Sequence, residues 1–166
     1  MTTILIIVSI ALLLSYTIGV CIKDKGIPYS ISATYYSLKH KFWFGISMIG
    51  GGMSLMPAIL EMSKSNTEWA AFLACFGVVL VGFSPNFRDS FVHTVHMTGA
   101  VLCVLFSQVW VAMNSPIYLL VWVIYLIYTI ICMINSNGII INRYLSTKPM
   151  FWVEIAALTS TYLALT

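Results

Sequence analysis

The chain has 166 residues, 60% of them hydrophobic and only 8% charged, with a formal net charge of +3. A soluble domain carries about 25% charged residues, so this chain lacks the polar surface to cover a water-facing shell. It has no basic run and no basic helix face, which excludes nucleic acid as a partner and leaves an integral membrane protein as the expectation.

Six apolar segments follow one another, at about residues 3–22, 42–62, 69–83, 91–113, 117–134 and 150–165. Apolar runs of this length must be helices, because lipid offers no partner for an open strand edge. The expected fold is therefore all-α: a polytopic membrane protein with six transmembrane helices in one compact bundle, a single domain over residues 1–166. The first segment, "TTILIIVSIALLLSYTIGVCI", lacks a basic n-region and a small-residue cleavage site, so it reads as a retained span rather than a signal peptide. The third and sixth segments are short for a hydrocarbon core of about 30 Å and must borrow flanking residues.

In the second segment, Ser47 and Gly51 are four apart, as are Gly50 and Ser54. Such small-xxx-small spacing lets helix backbones approach closely, within the bundle or against a second copy or other membrane protein. Pro57 is expected to kink this helix near its outer end. Trp43, Trp69 and Trp152 sit near segment starts, where an indole prefers the headgroup level; Trp110 and Trp122 lie deeper and read as packing residues. The four cysteines, Cys21, Cys75, Cys103 and Cys132, form no CxxC pair and read as small apolar packing residues.

Six spans put both termini on one side. The first, third and fifth loops hold Lys23, Lys25, Lys39, Lys41, Arg88, Arg143 and Lys148, and the opposite side holds only Lys64. By the positive-inside rule the odd loops face the cytoplasm and the termini lie outside. The first loop, with "GIPYSISATYYSLKHK", is rich in hydroxyls and weakly strand-like in its alternation. It reads as an interfacial loop or as a lid that supplies hydroxyls to a ligand.

Ionisable groups in spans are costly and often functional. "SPNFRDSFVHTVHMTGA" places Asp89, His93 and His96 at i, i+4 and i+7, on one face at the start of the fourth helix. Asp89 also suits the positive helix end. His96 lies about 5 Å deeper than His93, at 1.5 Å per residue. Glu154 starts the sixth helix from the same membrane side and His40 ends the first loop there, so all five are expected to converge. Glu61 stands at the opposite end, and Gln108 lies about three turns below His96.

Three chemistries fit such a cluster. Asp89, His93 and His96 could ligate a divalent metal such as zinc, with an open position activating water for hydrolysis of a membrane lipid. Histidines could relay protons or line an ion path. Polar groups could hold helix four against its neighbours, or hold a ligand. Close packing at Gly99-Ala100, beside His96, favours the last and weighs against catalysis. The expected function is thus non-enzymatic: binding or sensing a lipid or other amphipathic ligand, or membrane assembly. The expected pocket faces the cytoplasm and is built from Ser30, Ser32, Tyr35, His40, Asp89, His93, His96 and Glu154. The alternatives are a metal-dependent lipid hydrolase and a proton or ion pathway.

Two patches, "IPYSISATYYSLKHKFWFG" and "VGFSPNFRDSFVHTVHMTGAVLCVLF", carry a resemblance. The chain resembles the six-helix superfamily of the damage-regulated autophagy modulators and the Sfk-type proteins, with related uncharacterised bacterial membrane proteins. By that resemblance, His96 with Gly99-Ala100 matches a His-x-x-Gly-Ala pattern, and Pro28 with Ser30 matches a first-loop Pro-x-Ser pattern. It implies a membrane-organising role without agreed catalytic chemistry, and cytoplasmic termini, opposite to the charge count. Alkaline-ceramidase-type hydrolases are a second comparison, for Ser, Asp and His around zinc at a membrane face; this chain lacks their late His-x-x-x-His pair.

Overall fold

The computed structural model describes residues 1–86 and 88–166. It is all-α, with no strand among the described residues. The helices are α1 (Thr2–Lys23), α2 (Phe42–Met62), α3 (Glu68–Phe83), α4 (Ser90–Asn114), α5 (Leu120–Asn135), α6 (Ile140–Ser146) and α7 (Pro149–Leu163). Four helical stretches are long and apolar enough to cross a membrane: α1, α2, α4, and α5 with the 3-10 turn Pro116–Leu119 that leads into it. α3 and α7, at 16 and 15 residues, are shorter.

Three starts have a local cause. Asp89 caps α4. Pro149 fills the first position of α7, where a missing N–H costs nothing. Glu68 places a carboxylate in the first turn of α3. α2 continues through Pro57.

Packing follows chain order: α1 lies on α2, α2 on α3 and α3 on α4, after which α7 packs on α4 and α5 on α7. α1 buries the stripe Ser9, Leu13, Tyr16 and Val20, spaced four, three and four apart, as one helix face requires. Its other face exposes Ile4, Ile7, Leu14, Ile18 and Ile22. α5 is more extreme, burying Thr129 and little else. Apolar side chains exposed on this scale suit a lipid environment.

The seams are set by residues without bulk. A Cβ added at Gly51 would meet Leu13 Cγ at 2.8 Å, and one at Gly50 would meet Leu12 Cδ1 at 3.0 Å. Gly50 and Gly51 of α2 thus make their close approach within the chain, against α1, and Ser47 is also buried. The closest approach joins α3 and α4, where Gly77 and Gly99 face each other's backbone.

Buried polar groups tie the helices together. Ser9 Oγ donates to Gly51 O at 2.7 Å and meets Tyr162 Oη at 2.5 Å, linking α1, α2 and α7. Gln108 Oε1 accepts from Trp122 Nε1 at 2.7 Å and from Ser160 Oγ at 2.8 Å. Gln108 Nε2 donates to Ala157 O at 3.2 Å, so this one side chain joins α4, α5 and α7. Trp110, 1% exposed, donates to Ser63 Oγ at 2.8 Å. Lys64 donates through its backbone N–H to Asn114 Oδ1 at 2.8 Å and through Nζ to Asn114 O at 2.5 Å, satisfying a carbonyl at the end of α4.

The first and fifth loops both fold locally. The first loop is not strand-like: Ser32–Tyr36 is a 3-10 turn, with Ser30 Oγ accepting from Ala33 N at 3.0 Å. In the fifth loop, "IINRYLS" forms α6, and Arg143 reaches back to the carbonyls of Met133 and Ile134 at the end of α5. A cation there complements both the unpaired carbonyls and the negative helix end.

Candidate functional site

The structure does not bring Asp89, His93, His96, Glu154 and His40 together. Asp89 is exposed, and its Oδ1 accepts from Phe91 N at 3.1 Å and Val92 N at 3.2 Å, so it acts as an N-cap. His93 and His40 are exposed, the latter with its ring 5.9 Å from that of Phe42. His96 is 3% exposed, and its Nδ1 lies 2.8 Å from Ser84 O. A carbonyl only accepts, so Nδ1 carries the proton and the imidazole fastens the end of α3 to α4. Among the described residues, no group of three or more His, Cys, Asp or Glu side chains is placed to hold a metal ion. Asp89, His93 and His96 thus do not form the ligand set that their helical spacing suggested.

Asp89 gives the first expectation. Asp89→Ala should cost about 1 kcal/mol of stability, whereas Asp89→Asn or Asp89→Ser, which keep a capping oxygen, should be close to neutral. Thermal unfolding in detergent checks this. A loss with asparagine as large as with alanine would show that the charge has another task.

Glu154 occupies a different place. It stands in the second turn of α7, and its Oε2 accepts from Ile31 N at 2.6 Å, with Ser32 Oγ 3.4 Å from Oε1. Around it the first loop is pinned to the helices. Phe151 N donates to Tyr29 O at 3.1 Å, and Tyr16 Oη meets Thr34 Oγ1 at 2.5 Å. Outside these contacts, Tyr35 stacks edge-on to Phe44, with the Lys41 ammonium 5.0 Å from its ring centre. Arg88 lies over Tyr36 at 4.4 Å. The loop is thus a folded cover, held by hydrogen bonds and aromatic contacts.

Beneath this cover lies a cavity of about 90 Å³. α1 contributes Leu13 and Thr17; α2 contributes Met48, Leu55 and Ile59; α3 contributes Ala74, Cys75, Val78 and Val81. α4 adds Ala100, Cys103, Val104 and Ser107, and α7 adds Glu154, Ala157, Leu158, Thr161 and Tyr162. Ile31 and Ser32 of the loop close one end. A cavity with such walls favours an apolar occupant. α1 and α7, which both line it, have few direct contacts with each other; Ser9–Tyr162 and the covering loop hold that seam.

Of the eight residues expected to bind a ligand, Ser32 and Glu154 line this cavity. Ser30, Tyr35, His40, Asp89, His93 and His96 do not. Most of the wall was missed, because apolar residues within an apolar span give no signal of which of them leave a gap. The clearest signal was Glu154 itself, a carboxylate in the second turn of an apolar helix.

Comparison with protein-family models, with curated proteins and with solved structures finds no match for this chain.

Proposed function

We propose that the chain is a six-span membrane protein that binds an amphipathic molecule inside its helix bundle, with the apolar part in the cavity and the polar part at Glu154. The observation that carries this is the cavity itself: walls from five helices, nearly all apolar, ending at one carboxylate under a hydroxyl-rich cover. Ligand sites have this composition, apolar surface with few placed polar groups. The sparse α1–α7 seam gives an amphiphile a lateral path from the bilayer.

In this reading α3 and α7 also span. At 1.5 Å per residue they cover about 24 and 22 Å, a shortfall that local thinning and flanking residues accommodate. The end bearing the covering loop holds seven of the eight basic residues and faces the cytoplasm, with both termini on the other side. Membrane lipids are the surrounding partner. The His-x-x-Gly-Ala stretch that carries the resemblance to the six-helix autophagy-modulator and Sfk-type superfamily is where α4 locks onto α3; the cytoplasmic termini that the resemblance implies are not part of this reading.

The test uses thiols already in the wall. With Cys21→Ser and Cys132→Ser, the remaining Cys75 and Cys103 both line the cavity. Hexanol should slow alkylation of Cys103 by N-ethylmaleimide at least fivefold in detergent. Ala100→Leu, which fills the cavity from α4, should remove that dependence. Alkylation indifferent to hexanol in the unfilled protein would refute the reading.

A further inference from the structure

Glu154 is the one charged group in the cavity wall, which contains no Lys, Arg or His. The ion pair among the described residues, Lys23–Asp24 at 3.8 Å, lies elsewhere. A half-buried carboxylate among apolar side chains without a cation is costly. Here its compensation comes from the Ile31 amide at 2.6 Å, the Ser32 backbone amide and the long Ser32 hydroxyl contact at 3.4 Å, none of them charged, while two carboxylate oxygens have room for about four donors.

The hydroxyls of the wall sharpen the choice of head group. Thr17 Oγ1 donates to Leu13 O at 2.8 Å, Ser107 Oγ to Val104 O at 3.0 Å and Thr161 Oγ1 to Ala157 O at 2.7 Å. Ser9 spends its proton on Gly51 O, so in the Ser9–Tyr162 contact Tyr162 is the donor. Every hydroxyl hydrogen in the wall is therefore committed, and the wall presents acceptors and a negative charge. An anionic head would find repulsion and no strong donor. A bare metal ion would find too few oxygens, since hard cations take about six or more ligands. An ammonium brings three donors and the missing positive charge.

We infer that the cavity is selective for amphiphiles with a protonated amine head, the ammonium seated on the Glu154 carboxylate and the alkyl part among Leu13, Met48, Val78 and Leu158. This rests on the function proposed above and narrows it to a ligand class.

Hexylamine, hexanol and hexanoate share a tail and differ in head charge at pH 7.5. Each is titrated against alkylation of Cys103 in the Cys21→Ser, Cys132→Ser protein, with and without Glu154→Gln. Hexylamine should protect at a concentration at least tenfold below that of hexanol, and hexanoate should protect least. Glu154→Gln should remove the difference between hexylamine and hexanol. If hexanol or hexanoate protects as well as hexylamine, or the amine preference survives Glu154→Gln, the ammonium assignment is wrong while the amphiphile site stands. If none of the three protects, the site itself is wrong. Should Glu154→Gln fail to fold, the order of the three heads on the unsubstituted carboxylate still decides.

Discussion

Gly77→Ala is expected to lower the thermal midpoint by about 4–12 °C, and Gly77→Val to prevent folding. A Cβ at Gly77 would stand 2.5 Å from Gly99 O and 2.9 Å from Cys103 Cα. These are backbone atoms, so no rotamer change removes the clash, and α3 and α4 must move apart. Overpacking costs about 1–3 kcal/mol, the upper part applying where backbone must shift. At this chain length each kcal/mol is worth about 2–4 °C. Gly99→Ala should act likewise, since its Cβ would meet Leu80 Cβ at 2.8 Å and Gly77 O at 2.9 Å. Gly19→Ala is the control: nothing lies within 4 Å of a Cβ there, and alanine is the better helix former. A Gly77→Ala protein that melts with the unsubstituted chain would mean that α3 and α4 are not packed this closely.

The second large effect belongs to Glu154. Glu154→Ala removes the acceptor of the Ile31 N–H, at a residue only 5% exposed. Stranding a buried donor costs about 1–3 kcal/mol. The loss falls on the cover, so residues 24–41 should become the first site of proteolysis, while the Gly77–Gly99 seam stays intact. Glu154→Gln keeps an acceptor oxygen and should retain most of the protection. Limited proteolysis at Lys25 and Lys39 reads this directly. Equal cleavage of the alanine variant and the unsubstituted protein would show that Glu154 does not fasten the loop.

The helices were legible because length and apolarity decide them. The segment expected at about 42–62 is α2 (Phe42–Met62), and that at about 91–113 is α4 (Ser90–Asn114). The packing of His96 beside Gly99 was legible too, since a glycine next to a buried imidazole leaves room for a neighbour. What could not be read was the direction in which each polar group is used. Helical spacing puts Asp89, His93 and His96 on one face, but Asp89 turns back to cap its own helix while His96 reaches Ser84 at the end of α3. The covering loop takes its form from distant partners, Glu154 and Tyr16, so its own alternation misled. α6 depends on Arg143 reaching the end of α5, a contact across ten residues that no local pattern encodes.

The most direct measurement is a crystal structure of the protein soaked with 6-bromohexan-1-ol, read by the anomalous signal of bromine. A bromine peak is expected inside the cavity, among Met48, Val78 and Leu158, with the hydroxyl near Glu154. Bromine found only on the outward faces of α1 and α5, with the cavity empty, would contradict it.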